Sequence, residues 1–254
     1  MKCKECAFYG TCKKRNEDNL NCYPRVFLYG LKGNGGIWKA TGVPKKYRKC
    51  TIDNLPFEEE NPKPYALCRK YAENIVVNVL EKNLNLYICS KATSNNPLGT
   101  GVGKTTLACS LLNHFTVEIC REYLKGNYKE IFSNSNPSLF VKCSDFQNYY
   151  NALFRGTDDQ KTEASVIYYG LKSRMKNVPL LVMDDIGIRN ASEGFLNELY
   201  EVIDARVGDE LTTFYTSNVP LNELDTLLDA RVMSRISENT TPIIMGGKDR
   251  RSVL

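Results

Sequence analysis

Apolar residues recur along this chain in two alternating periods. From Tyr65 to Lys82, YALCRKYAENIVVNVLEK sets Cys68, Tyr71, Ala72, Ile75, Val76 and Val79 three and four apart, the spacing of one helix face. LNLYICS (84–90) then reads as a strand, and TTLACSLLNHFTVEICREYL after Lys104 as a strongly apolar helix. SLFVKCS (138–144) is a second strand, followed by a helix from about Asp145 and another over roughly 160–176. PLLVMDDIG (179–187) is a buried strand that ends on two carboxylates. SEGFLNELYEVIDARV (192–207) is helical with Ser192 as its N-cap. LTTFYTSN (211–218) is a strand, LNELDTLLDARVMSRIS (221–237) a helix and TPIIMGG (241–247) a last strand.

Strand and helix in alternation predict an α/β fold, a five-stranded parallel sheet with helices on both faces. In such a sheet a ligand sits at the carboxyl ends of the strands. The sequence before Tyr65 is different. MKCKECAFYGTCKKRNEDNLNCYPRVF has too few aliphatic residues to build a core of its own, and LYGLKGNGGIWKATGVPKKYRK, rich in Gly and Lys, reads as a linker ending in a docking segment. The expected division is a Cys-rich, partner-docking module over 1–35, a basic linker and adenine-side segment over 36–64, and a catalytic domain over 65–254.

Composition narrows this only in places. At 254 residues and 42% hydrophobic the chain is an ordinary globular length and mixture. No run approaches the roughly 18 apolar residues of a membrane span, and MKCKECAFYG lacks the apolar centre of a signal peptide. The cytoplasm is the expected location. Charge is uneven: residues 1–52 hold twelve Lys or Arg against Glu5, Glu17 and Asp18, a net +9, which leaves −4 for the rest of a chain of net +5. A basic front end suits a nucleic acid or an acidic protein surface, and equally a solvated linker. Cys50, Cys68, Cys89, Cys109, Cys120 and Cys143 are dispersed among the elements as small buried hydrophobes. Cys3, Cys6, Cys12 and Cys22 crowd the first 22 residues. Four thiolates is the count of a closed zinc site, and zinc would staple a segment so poor in core residues. Only the first spacing is a standard knuckle, so reduced thiols and an iron–sulfur cluster remain alternatives.

The candidate chemistry starts at NPLGTGVGKTT (96–106). A phosphate-binding loop reads G-x-x-x-x-G-K-[ST], and here Leu98 stands where the first glycine should. Such a loop turns successive backbone N–H groups toward the anion and needs glycine wherever the chain bends into conformations closed to a Cβ. Gly99, Gly101 and Gly103 supply three such points, with Thr100, Val102 and Thr106 completing the cradle. Lys104 is then expected at the β- and γ-phosphates of ATP and the Thr105 hydroxyl at Mg²⁺. Asp184 would hold the same Mg²⁺, Asp185 would polarise the attacking water, and Asn218 in YTSN would orient it. Arg231 and Arg235 lie four apart on one helix face. They suit a finger offered to a neighbouring active site, or a plain solvated face. His114, in an apolar helix, reads as structural.

Together these motifs resemble the AAA+ P-loop NTPases of the DnaC/DnaI helicase-loader family, from about Gly42 onward. GVPKKYRKCTIDNLPF, LLVMDDIG, IDAR (203–206), TSN and LDARVMSRI stand in that family's order, and GGKDRR is similar to its closing Gly-x-Asp-x-Arg. The resemblance implies Lys104 and Thr105 on nucleotide and metal, Asp184 on Mg²⁺ and Asp185 as catalytic acid. It implies Asn218 as first sensor, Arg251 as second sensor, Arg231 as trans-acting finger and Arg235 as its helper. It also implies that the C-terminal helical lid of many AAA+ proteins is absent, and that the chain self-associates finger to pocket. Its expected partners are a hexameric replicative helicase and single-stranded DNA. A transposition helper ATPase of the IstB type and a non-hydrolysing ATP-binding regulator are the alternatives. Two departures stand out: Leu98, and a longer stretch, KATSNNP, before the loop.

Overall fold

The computed structural model describes residues 8–9, 22–33, 35–56, 58–94, 96–134, 136–187, 191–226 and 228–251. Its centre is a five-stranded, all-parallel sheet in the order β2-β3-β4-β1-β5. The strands are β1 (Asn85–Ser90), β2 (Ser138–Lys142), β3 (Leu180–Asp184), β4 (Thr212–Ser217) and β5 (Thr240–Met245). Each starts within one residue of its expected bound and ends within three.

The strands read as near-continuous apolar runs because both sheet faces are covered. Leu86, Ile88, Leu180, Val182, Phe214 and Ile243 face one core, with α3 (Pro62–Glu73), α4 (Ile75–Leu80) and α5 (Lys104–Lys125). Tyr87, Cys89, Leu181, Met183 and Tyr215 face the other. After the short α6 (Ile131–Asn134), that side is covered by α7 (Cys143–Ala152), α8 (Asp158–Asn177), α9 (Glu193–Gly208) and α10 (Ala230–Ser237). The outer face of edge strand β5 is bare at Ile244, 54% exposed. Ser192 caps α9, its hydroxyl accepting from the Phe195 amide.

Two helices expected to be continuous are broken. The first starts earlier, with Pro62 in its first turn, and stops at Asn74, whose φ −128° and ψ 41° leave the helical basin. The Asn78 side chain takes the Tyr71 carbonyl (2.9 Å) on the far side of the break. The second, expected over 221–237, divides into a 3-10 turn at Leu221–Thr226 and α10. Asp229 between them accepts from the Arg231 and Val232 amides at 2.7 and 3.1 Å. A carboxylate serves better as an N-cap than inside a helix, which places the start of α10 there.

The described end of the expected Cys-rich module and the start of the expected linker fold onto the core. Helices α1 (Tyr23–Tyr29) and α2 (Gly36–Ala40) meet at a glycine turn so tight that a Cβ on Gly36 would lie 2.6 Å from the Leu28 carbonyl. Leu28 and Ile37 are buried with Cys120 of α5, and Phe27 stacks on Tyr123 (5.3 Å, 12°). Among its described residues this segment forms no core apart from α5; it borrows one face of that helix. Cys3, Cys6 and Cys12 lie outside the described residues, and Cys22 is a free, half-buried thiol. Among the described residues no three His, Cys, Asp or Glu side chains are grouped to hold a metal, and no helix is long and apolar enough to cross a membrane.

Candidate active site

The expected loop runs from the end of β1 into α5. Gly99, Gly101 and Gly103 have φ of +58°, +68° and +103°, the left-handed region that glycine enters without strain. The first turn is made at Gly99, where a Cβ would come 2.8 Å from Ser90 Oγ. Leu98 is 76% exposed and takes no part in the turn. Its place in the pattern is filled one residue later. Val102 is buried in the core beneath the loop, and Thr106 is half-exposed in the first turn of α5. The extra stretch before the loop closes on itself through paired Thr93 and Asn96 backbones. Asn96 Nδ2 then ties the loop down, donating to the carbonyls of Thr100 (2.7 Å) and Gly247 (3.1 Å).

Lys104, buried at the N-terminus of α5, reaches across the sheet ends. Its Nζ donates to Asn218 Oδ1 (2.7 Å), Ser90 Oγ (3.0 Å) and the Gly99 carbonyl (3.2 Å). Burial lowers its pKa, with help from Arg251, while Asp185 and Asp184 act in the opposite sense. Thr105 Oγ1 donates to Asp184 Oδ1 at 2.8 Å, so one hydroxyl and one carboxylate share the spot expected for Mg²⁺. Mg²⁺ typically takes one or two protein oxygens and fills the rest of its octahedron with phosphate and water, so this pair suits it.

The two aspartates are separated by a single hydroxyl. Thr216 Oγ1 donates to Asp184 Oδ1 (2.7 Å) and accepts from the Asp185 amide (2.9 Å). Asp185 sits at φ +55°, unusual for a residue with a Cβ. That bend turns its side chain out of the strand direction into a polar cavity of about 270 Å³ that Asn218, Lys142 and Ser144 also line. Asp184 stays behind, buried, and desolvation raises its pKa against the lowering effect of the Thr216 and Thr105 hydrogen bonds.

The C-terminal segment straps the loop from outside. Thr100 Oγ1 donates to Asp249 Oδ2 (2.9 Å), and the Arg250 amide donates to the Gly101 carbonyl (3.2 Å). A Cβ on Gly101 would overlap the Asp249 carboxylate. Arg251 folds back on Asp249, close enough for its charge to bear on Lys104. Asn61 holds the same strap, its side chain bonding both the Gly246 amide and the Gly246 carbonyl, and Arg250 pairs with Glu60 at 2.9 Å. Glu60 and Asn61, at the end of the expected adenine-side segment, thus meet the strap, while Tyr47 and Cys50 lie along α5, where Asn113 holds their carbonyls.

Arg231 and Arg235 are the site residues not brought to the loop. Arg231 donates to Asp229 and to Asn197 Oδ1 (3.1 Å) and lies 5.1 Å from the Tyr200 ring. Arg235 donates to Asp204 Oδ1 (2.7 Å). Both project onto α9, and among the described residues none of their hydrogen bonds reaches the loop, Asp184 or Asp185. Ser90, Asn96, Thr216, Asn61 and Asp249 were not anticipated as site residues. Ser90 and Thr216 could have been suspected from lying at strand ends; the others serve through contacts distant in sequence.

No protein-family model matches the chain. Among curated proteins it is 26% identical over 197 residues to the replicative helicase loader DnaC of Buchnera aphidicola (subsp. Baizongia pistaciae), covering 77% of this chain and 66% of that protein. The crystal structure of the DnaC helicase loader superposes with a TM-score of 0.56 at 21% identity, over 80% of this chain and 99% of that one. The chain resembles the DnaC-type AAA+ helicase loaders. The likeness extends to AMPPCP-bound DnaA from Aquifex aeolicus, with a TM-score of 0.52 and 19% identity over 81% of this chain and 53% of that one. DnaC-type loaders thus share with this chain the P-loop α/β fold, while just under two thirds of the matched loader's length is covered.

Proposed function

We propose that the chain is a Mg²⁺-dependent ATPase of DNA replication that places a ring-shaped, hexameric replicative helicase on single-stranded DNA. The observation that carries this reading is the convergence of Lys104, Thr105, Asp184 and Asn218 at the carboxyl ends of β1, β3 and β4. The likeness to helicase loaders and to a nucleotide-bound replication initiator supports it.

In this reading Gly99 to Thr106 wrap the triphosphate, and Lys104 exchanges Asn218 and Ser90 for the β- and γ-phosphate oxygens. Thr105 and Asp184 would hold Mg²⁺, which neutralises charge on the phosphates. Asp185, aimed into the polar cavity, draws a proton from the attacking water, and Asn218 holds that water in line. Arg251 follows the γ-phosphate from the strap. Arg231 and Arg235, turned away from their own loop, complete the pocket of a neighbouring copy, so that stacked chains hydrolyse ATP together. The front module over residues 1–35 grips the helicase.

The test is ATP turnover by the full chain with and without single-stranded DNA and its host's replicative helicase. Stimulation by both supports a loader. Stimulation by neither, with ATP still retained, points to a non-hydrolysing regulator, and capture of a transposase in place of the helicase to the transposition class. A full chain is needed, because truncation at residue 60 would take Val43, Ile52 and Leu55 out of the main core.

A further inference from the structure

A second large concavity lies away from the loop. It is an open groove of about 890 Å³, floored by Asn113, His114, Val117 and Arg121 of α5. At 1.5 Å per residue, that stretch of α5 begins about 13 Å from Lys104 and ends about 25 Å from it. One wall is the α1–α2 turn, carrying Tyr29, Trp38 and Lys39; the other is the 45–53 segment, carrying Lys45, Arg48 and Lys49.

The charge in this groove is one-sided. Of its two carboxylates, Glu118 is paired with Arg121 (2.7 Å) and Asp53 with Arg69 (3.7 Å). Lys39, Lys45, Lys49 and Arg48 have no carboxylate partner among the described residues. Tyr29 and Trp38 form a tilted aromatic pair with ring centroids 6.0 Å apart, and both are half-exposed. Aromatic faces inside a groove with cations on both rims are the arrangement that stacks bases and tracks phosphates in single-stranded nucleic-acid binding.

We propose that this groove binds a short run of single-stranded DNA, bases against Trp38 and Tyr29 and phosphates along Lys39, Lys45 and Lys49. It gives Lys39, Lys45, Arg48 and Lys49, four of the twelve cations of residues 1–52, a role apart from the ATP site. It rests on the DNA-handling part of the proposed function and not on ATP chemistry. An acidic protein segment is the competing occupant; the half-exposed aromatic pair favours bases.

Trp38 is the chain's single tryptophan and therefore reports on the groove alone. Titrating the full chain with an oligothymidylate of about 20 nucleotides should quench its emission. In the triple variant K39Q/K45Q/K49Q the affinity at low salt should fall about tenfold, and the slope of log affinity against log salt should flatten by about 2. ATP retention, measured on the same samples, should not change. DNA binding that leaves Trp38 emission and the salt slope untouched overturns the proposal, as does failure of the chain to bind DNA while still retaining ATP. Quenching by polyglutamate without quenching by DNA overturns it in favour of a protein segment. Loss of ATP retention by the unsubstituted chain would instead sink the ATPase reading and leave the groove's own test standing.

Discussion

Lys104 Nζ lies 2.7 Å from Asn218 Oδ1, so the first residue of α5 and the residue after β4 close the mouth of the candidate site between them. A phosphate bound as proposed would compete with that amide for one ammonium. Asn218→Ala should leave ATP affinity within about threefold, since it removes a competitor and a distant contact together, and should cut single-turnover hydrolysis about 10- to 100-fold. A fall in affinity with unchanged turnover would show that Asn218 acts only as the lysine's tether.

Leu98 and Gly99 divide between them what one residue does in the usual loop. Leu98→Gly should leave nucleotide affinity unchanged within about twofold, because an exposed side chain outside the turn is replaced. Gly99→Ala should cost at least tenfold, since it puts a Cβ at φ +58° against Ser90 Oγ. Isothermal titration with ATP separates the two, and the reverse ranking would return the loop's first bend to position 98.

Asp184 carries a stability cost whose pH dependence has a definite sign. Burial raises its folded pKa above the unfolded value, so the folded chain favours the protonated carboxyl. The associated stabilisation is present at pH below the unfolded value of roughly 4 and is lost as pH rises through the folded pKa. Asp184→Asn keeps an oxygen to accept from Thr105 and Thr216. Without nucleotide it should therefore melt higher than the parent at pH 7, with a gap that closes as the pH falls toward 4. Mg²⁺-dependent turnover should be abolished. Thermal melts across that range decide; a variant that melts lower at every pH would show that the carboxylate stabilises the fold.

Arg206 is buried with no ion pair to a carboxylate among the described residues, and desolvation lowers its pKa to about 10. Its guanidinium donates to the carbonyls of Met175, Val178 and Thr212 and to Thr213 Oγ1, joining the end of α8 to the starts of β3 and β4. Arg206→Met should cost about 3 kcal/mol or more by leaving buried carbonyls unpaired. Denaturant unfolding measures it. A loss under 1 kcal/mol would mean that water replaces the guanidinium.

The sheet was legible because strands buried on both faces write continuous apolar runs, as in LLVMD and LYICS. The loop and the Asp pair were legible because their spacing is local. Asn74 and Asp229 were missed as helix breaks because an apolar period runs on through them, and a single capping side chain outweighs it. The run from Leu28 onward read as a linker because its few apolar residues are set among glycines, and Cys120, on which Leu28 and Ile37 pack, lies in α5. Asn61, Asn96 and Asp249 acquire their roles only when the chain end returns to the loop, in contacts that span about 150 to 185 positions.

Helix α5 has 22 residues, a rod of about 33 Å. Lys104 begins it, while Cys120 and Tyr123 near its other end lie beneath Leu28 and Phe27. A single beam therefore has the candidate nucleotide loop at one end and the basic front arm bolted to the other. A tilt of the beam as phosphate comes and goes would swing that arm with no hinge in between, as a lever swings from its fulcrum.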